Sequence, residues 1–286
     1  MIAANDAPLE PGATQPLSLV PSPVPVEDIN PEVEVRSRSA FAGLVLASFN
    51  SVAGAADTCS ARSGGQITPL IELYTSEGCS SCPPADRWLS RQVRSGEHRA
   101  NWLAFHVDYW DDLGWRDRFA SPRHAERQRE RVNALGHSTV YTPQVMIGPQ
   151  VQTTWRAGPA VVRALAAERG AAQAGLALQL DRGSGAQRLR LGAVRSGQGG
   201  SSAQVWLAQT VDGVKTEVRA GENVGATLNH DRVVTRLWGP WPLGTAPFAK
   251  AIDVDLGQAA WGLTAFVQEA NGKVLQSLRL ASADCR

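Results

Sequence analysis

The sequence Glu77-Gly78-Cys79-Ser80-Ser81-Cys82-Pro83-Pro84 joins two segments of different character and decides the fold prediction. The preceding segment, ITPLIELYT (67–75), is apolar and rich in β-branched residues, which predicts a buried strand. The following segment, ADRWLSRQV (85–93), predicts a helix whose first turn tolerates the two prolines. The cysteines are therefore expected on a strand-to-helix turn, where the positive end of the helix dipole stabilises a thiolate.

The CxxC motif has three interpretations. The short spacing suits a pair that cycles between dithiol and disulfide. A purely structural disulfide is the second interpretation, although so small a loop adds little stability. A zinc site is the third, but there is no second CxxC, and His106, His124 and His137 have no ligand spacing to the cysteines.

Composition limits the classes of function. The chain has 286 residues, enough for two domains, and its 43% apolar and 19% charged residues are typical of a soluble globular protein. A formal net charge of +1 argues against a general polyanion binder, so no nucleic-acid partner is expected. The sequence indicates no cofactor and no metal.

The N-terminal part predicts export. We expect residues 1–34 to be disordered or an extension that precedes the true start, because they are rich in Pro, Ala, Glu and Ser without an apolar period. Arg36 and Arg38, the apolar run 39–52 and a small-residue site at 53–55 predict a signal peptide over 35–56. The apolar run is short for a membrane span, although an uncleaved anchor remains the alternative. The mature protein is expected to be periplasmic or secreted, with no stable membrane span.

Residues 57–172 are predicted to form an α/β domain. A second strand over 102–109 follows the CxxC helix and completes a strand–helix–strand order typical of parallel βαβ units. A helix over 123–135 is expected next, with Ser121 as its N-cap. A further helix is expected over 160–172. His106 and Asp108 are two residues apart on the second strand and share a face, either at the ligand crevice or as a satisfied buried pair.

Residues 173–286 have the alternating pattern of antiparallel strands, and Asp212-Gly213 and Asn271-Gly272 are strong hairpin signals. We expect a separate β-rich domain resembling a sandwich. His230 falls in one of the predicted connections, where a single histidine is more often a surface residue. The two remaining cysteines, Cys59 and Cys285, are left for each other, and export permits such a disulfide.

Four segments resemble the DUF1223 family, thioredoxin-like secreted proteins of unknown function. They are LYTSEGCSSCPPAD (73–86), HVDYWDDLGW (106–115), YTPQ (141–144) and GEN (221–223). The resemblance spans about residue 70 to the C-terminus. It implies a thioredoxin-like fold, Cys79 and Cys82 as the redox pair, and Pro143 as a cis-proline beside them. Ser-Ser between the cysteines, and the lack of Trp before Cys79, depart from ordinary thioredoxins.

Together these observations predict an exported thiol–disulfide oxidoreductase whose partner is a protein thiol or disulfide. Cys79, expected to be the more exposed cysteine, attacks the substrate, and Cys82 resolves the mixed disulfide. Pro143 presents backbone to the substrate, with support from a set of nearby side chains: His106, Asp108, Trp110 and Thr142. The alternatives are a protein-binding module with a structural CxxC disulfide, or a copper-handling thioredoxin-like protein.

Overall fold

The computed structural model describes residues 58–96, 99–182, 187–196 and 202–285. These residues form three α-helices, α1 (Pro83–Ser95), α2 (Pro122–Ala134) and α3 (Gly158–Ala167). They also form fourteen strands: β1 (Thr58–Arg62), β2 (Leu70–Thr75), β3 (Asn101–His106), β4 (Gln144–Ile147), β5 (Gln150–Val151), β6 (Ala174–Asp181), β7 (Gln187–Arg195), β8 (Ala203–Val211), β9 (Val214–Glu217), β10 (Thr227–His230), β11 (Val233–Leu243), β12 (Phe248–Val254), β13 (Trp261–Glu269) and β14 (Val274–Ala281). The extension and signal peptide predicted for 1–34 and 35–56 lie outside the described residues. No helix in the described ranges is long and apolar enough to cross a membrane.

The largest sheet has eight strands in the order β14-β13-β8-β11-β3-β2-β4-β5. Its strands come from both halves of the chain. Only the β2–β3 and β3–β11 contacts are parallel, and every other pairing is antiparallel. The join between the halves lies at β3, where Val233 pairs with Ala104 and the Ala104 amide donates to the Arg232 carbonyl at 2.9 Å.

The predicted fold class, an α/β thioredoxin-like domain followed by a β-rich sandwich-like region, is wrong. The described chain is mainly β-sheet, and β11 continues the sheet that contains β2 and β3. The physical reason is that β3 would otherwise present an unpaired edge, which β11 covers. Alternation and turn signals identified the later strands correctly but carried no information about which edge they pair with.

The second sheet has four strands in the order β1-β6-β7-β12 and shares an apolar core with the β8–β13–β14 part of the large sheet. The Cys59–Cys285 disulfide, predicted above, is present with a Cα–Cα distance of 5.2 Å. It joins β1 to the short 3₁₀ turn Ser282–Cys285 that follows β14. The disulfide therefore links the second sheet covalently to the segment that follows the last strand of the large sheet.

The three helices cover β2 and β3 from two sides. Ile71 and Leu73 pack in the core that includes α1 and α3, whereas Leu70 and Tyr74 pack in the core that includes α2. This is the alternation expected of a strand buried on both faces. The predicted helix starts are also found, and the Ser121 hydroxyl accepts a hydrogen bond from the Arg123 amide at 3.3 Å.

A buried ion pair lies between β2 and α2. The Arg127 guanidinium donates to Glu72 Oε1 at 2.5 Å, and the Tyr74 hydroxyl donates to Glu72 Oε2 at 2.7 Å. Burial alone would raise the pKa of Glu72, but Arg127 and Arg131 outweigh it and lower the value to about 2. The carboxylate is therefore charged at neutral pH inside the core.

Candidate functional site: a covered disulfide at the start of α1

Cys79 and Cys82 form a disulfide, with a Cα–Cα distance of 5.4 Å, on the turn between β2 and α1. Cys82 is the N-cap of α1, and its carbonyl accepts hydrogen bonds from the amides of Ala85 and Asp86. The pair therefore lies at the end of the helix where unpaired amides and the helix dipole favour negative charge.

Both cysteines are fully buried, at 0% exposure each. The expectation that Cys79 is the more exposed of the two is wrong for this state of the molecule. The turn between β9 and β10, here called the cap loop (residues 219–226), contacts the CxxC turn. The Asn223 amide donates to the carbonyls of Glu77 at 2.8 Å and Cys79 at 3.0 Å, and the Ser80 amide donates to Glu222 Oε2 at 3.0 Å.

The cap loop approaches the chain closely through Gly221. This residue has φ +73°, and a Cβ added to it would lie 3.0 Å from Cβ of Trp115. Trp115 in turn donates from Nε1 to Glu77 Oε2 at 2.9 Å. The segment GEN (221–223) is therefore a docking element whose backbone path requires glycine.

Pro143 precedes β4 and follows a cis peptide bond from Thr142, as the family resemblance implies. Tyr74 pairs with Gln144 in the β2–β4 ladder, so Pro143 comes next along the ladder towards the end of β2. The Trp110 indole donates to the Thr142 hydroxyl at 2.8 Å, and a Cβ added to Gly78 would lie 3.3 Å from Cβ of Trp110. Trp110 thus connects the CxxC turn with the segment that carries Pro143.

Five buried ionisable side chains gather beside the CxxC turn: Glu77, Asp86, His106, Asp117 and His230. His106 Nδ1 lies 2.6 Å from Asp117 Oδ2. His230 lies between two carboxylates, with Nε2 3.3 Å from Glu77 Oε1 and Nδ1 3.8 Å from Asp86 Oδ2. The two imidazole rings are 4.9 Å apart, so all five groups form one electrostatic cluster.

The pKa values of His106, Asp117 and Asp86 are shifted from their ordinary values. Burial alone would lower the pKa of His106, but Asp117 outweighs it and raises the value. Burial alone would raise the pKa of Asp117, and His106 lowers it instead. Burial raises the pKa of Asp86, and the two histidines offset only part of that shift. The cluster therefore combines a charged His106–Asp117 pair with a carboxyl that holds its proton to higher pH.

Sequence reasoning identified only part of this site. It named His106 but paired it with Asp108, which lies beyond the end of β3, whereas Asp117 makes the contact. It placed His230 at the surface, whereas His230 lies on β10 at 2% exposure. The signal that could have drawn attention to Glu77 and Asp86 is their position: both are acidic residues that flank a CxxC within an otherwise buried segment.

The donor set of the site does not indicate a metal. Within the described residues, no group of three or more His, Cys, Asp or Glu side chains has an arrangement that could hold a metal ion. The site therefore consists of a disulfide beside five buried ionisable side chains.

The fold and the site describe a mainly β protein that carries a CxxC disulfide at the start of a helix. The chain belongs to the DUF1223 family, described as "Protein of unknown function (DUF1223)", whose sequence model matches residues 70–268. No match was found among the curated proteins.

Two solved structures have a similar fold. Protein AGR_C_4864 from Agrobacterium tumefaciens is 23% identical with a TM-score of 0.56, and the match covers 76% of this chain and 96% of that one. HBP35 of Porphyromonas gingivalis is 13% identical with a TM-score of 0.57, and the match covers 76% of each chain. At these identities the likeness concerns the fold.

Proposed function

We propose that this protein is an exported thiol–disulfide oxidoreductase in which Cys79 and Cys82 cycle between disulfide and dithiol. The observation that carries the proposal is the position of the pair, at the N-terminus of α1 and beside a buried cluster of titratable groups. Perturbed ionisable groups beside a potential nucleophile are typical of catalytic sites. The Cys59–Cys285 disulfide supports an oxidising compartment, and hence a periplasmic or secreted location.

The exchange conserves atoms and electrons. In the reducing direction, the Cys79 thiolate attacks one sulfur of a substrate disulfide, and the other substrate sulfur leaves as a thiolate that takes up a proton. Cys82 then loses its proton and attacks Cys79 Sγ, which releases the second substrate sulfur as a thiol and closes the Cys79–Cys82 disulfide. A substrate dithiol drives the same steps in reverse. Pro143 presents its neighbouring backbone to the substrate segment.

The buried cluster contains a carboxyl group, that of Asp86, which can accept the proton of Cys82. Asp86 follows Cys82 by one helical turn, so the two side chains lie on the same side of α1. Its raised pKa lets the carboxyl bind and release a proton closer to neutral pH. His230 lies between Asp86 and Glu77 and extends the cluster towards the His106–Asp117 pair.

One observation favours a second candidate, a protein-binding module with a structural disulfide. Both cysteines are fully buried beside a cap loop that is hydrogen bonded to the Cys79 carbonyl, and an inert bridge would be buried in the same way. The oxidoreductase proposal requires the cap loop to move aside during turnover. No contact among the described residues favours copper handling.

Reduction of insulin by dithiothreitol, with the purified protein as catalyst, tests the proposal. We expect catalysis by the wild type and only the uncatalysed rate with Cys79→Ser. The matched control is the double variant Cys59→Ser/Cys285→Ser, which loses the other disulfide and is expected to keep its activity. Equal rates for the wild type and Cys79→Ser would favour the binding module.

A further inference from the structure

An open cleft of about 570 Å³ lies next to the CxxC turn, between the β9–β10 hairpin and the loop that precedes α2. Its volume is within the usual range for ligand pockets. Glu77 and Trp115 are part of its lining, and four basic side chains stand around it: Arg116, Arg118, Lys215 and Arg219. The cleft therefore reaches to within two residues of Cys79 along the chain.

The negative charges near the cleft do not cancel this basic set. Glu77 is buried and engaged by Trp115 and His230. Glu217 lies 3.7 Å from Arg219, but both side chains are more than three-quarters exposed, and such pairs contribute little. A group of aspartates lines a separate depression on the other side of Arg116 and Arg118: Asp108, Asp111, Asp112 and Asp117. Four basic side chains and two carboxylates, Glu77 and Glu217, therefore line the cleft, and its excess positive charge includes Lys215 and Arg219 on the hairpin side.

Part of the basic lining is held in place. The Arg118 guanidinium donates to the Lys215 carbonyl at 3.2 Å and lies 4.6 Å from the centre of the Phe119 ring. This contact fixes the loop against the hairpin. The same hairpin carries Asn223, which is hydrogen bonded to the Cys79 carbonyl. One element therefore both covers the disulfide and lines the basic cleft.

We propose that this cleft binds carboxylates next to the sulfur of the substrate, so that the preferred substrate is an acidic, cysteine-containing protein segment. The inference rests on the proposed function and adds the substrate class. Carboxylates in the cleft would contact Lys215 and Arg219 while the substrate sulfur reaches the CxxC turn. Small anionic disulfides have the same chemistry and are distinguished by the test.

Binding of cysteine-free peptides tests the cleft without any redox step. Two peptides of equal length, with Ser in place of Cys, carry either Glu or Lys on both sides of the Ser, and their affinities are measured by calorimetry. We expect the wild type to prefer the acidic peptide by about tenfold at low salt, with the preference falling as ionic strength rises. Lys215→Glu/Arg219→Glu should abolish or reverse the preference.

A matched double variant controls for net charge. Arg163→Glu/Arg169→Glu makes the same change at two exposed residues on and just after α3 and should retain the wild-type preference. No preference in the wild type, or an equal preference in the Lys215/Arg219 variant, would overturn the inference. Oxidised glutathione serves as competitor: displacement of the acidic peptide indicates a free anionic disulfide as ligand, and no displacement indicates a protein segment.

Turnover separates this inference from the proposed function. With Cys-containing versions of the peptides, the wild type should reduce the acidic peptide faster than the basic one, and the Lys215/Arg219 variant should lose this difference, measured as the ratio of the two rates within each protein. If the wild type reduces no disulfide yet binds the acidic peptide through Lys215 and Arg219, the proposed function is wrong and the inference about the cleft is supported. If the wild type reduces acidic, neutral and basic disulfides equally well, the proposed function is supported and the inference about the cleft is wrong.

Discussion

The Asn223 side-chain amide donates a hydrogen bond to the Cys79 carbonyl at 3.0 Å, although 144 positions separate the two residues in the sequence. The same amide donates to the Glu77 carbonyl at 2.8 Å. The cap loop is thus attached to the backbone of the CxxC turn itself. These contacts are therefore the ones to remove in a test of whether the cap loop controls access to the disulfide.

Asn223→Ala should make the Cys79–Cys82 disulfide easier to reduce. Two hydrogen bonds of about 1 kcal/mol each are lost, which raises the open population by at least about tenfold. The rate of reduction by dithiothreitol, followed by alkylation and mass spectrometry, measures this effect. Asn133→Ala, at an exposed position of α2, should leave the rate unchanged. Equal rates for both variants would show that the cap loop does not control access.

His124 should make the protein less stable in mild acid. Its Nδ1 lies 2.9 Å from the His106 carbonyl, and burial lowers the pKa of the imidazole from 6.5 to about 4. The unfolded chain therefore binds a proton between pH 6.5 and 4 that the folded chain does not, and stability falls as the pH falls through this range. The expected loss from this residue is about 3 kcal/mol.

Denaturant unfolding at pH 7 and pH 4 checks this prediction. His124→Gln keeps a donor for the carbonyl and should flatten the pH dependence relative to the wild type. His137→Gln, at an exposed position, should retain the wild-type slope. An unchanged slope in His124→Gln would mean that the imidazole is not kept neutral by burial.

Glu72→Gln should destabilise the fold by about 3–5 kcal/mol, because it leaves Arg127 buried without its carboxylate. The control is Asp253→Asn, which removes the carboxylate from the exposed Arg188–Asp253 pair and should change stability little, because solvent screens such a pair. Urea unfolding at pH 7 compares the two variants. Similar losses in both would indicate that water reaches the Glu72 site.

Cys82→Ser should trap mixed disulfides through Cys79, whereas Cys79→Ser should not. The proposed mechanism assigns the attack to Cys79 and the resolving step to Cys82, so removal of Cys82 leaves the mixed disulfide without its resolving thiol. Non-reducing electrophoresis of the exported fraction detects the adducts. Equal trapping by both variants would contradict the proposal that Cys79 attacks and Cys82 resolves.

The local part of the fold could be predicted from the sequence. Ser121 was predicted as the N-cap of a helix and caps α2, and the helix expected over 160–172 is present as α3, although it ends at Ala167. The strand–CxxC–helix order was also predicted correctly. These features depend on interactions between residues that are close in the sequence, so a single sequence is enough to predict them.

The contacts between distant segments could not be predicted in this way. The parallel contact of Val233 with Ala104, which unites the two halves in one sheet, depends on which edge is left open after folding. The approach of His230 to Glu77 and Asp86 depends on the same event, because β10 immediately precedes β11. A histidine beside turn residues carries no local sign that it will be buried among carboxylates.

The central claim is that Cys79–Cys82 is a redox-active pair, and its reduction potential is the most direct test. The protein is equilibrated in dithiothreitol buffers of defined potential, and the fraction of reduced Cys79 and Cys82 is measured by alkylation and mass spectrometry. A redox-active Cys79–Cys82 pair should have a potential above about −300 mV, in the range of disulfides that exchange with biological thiols. A potential below about −300 mV, together with no turnover of a disulfide substrate, would identify a structural bridge and contradict this claim.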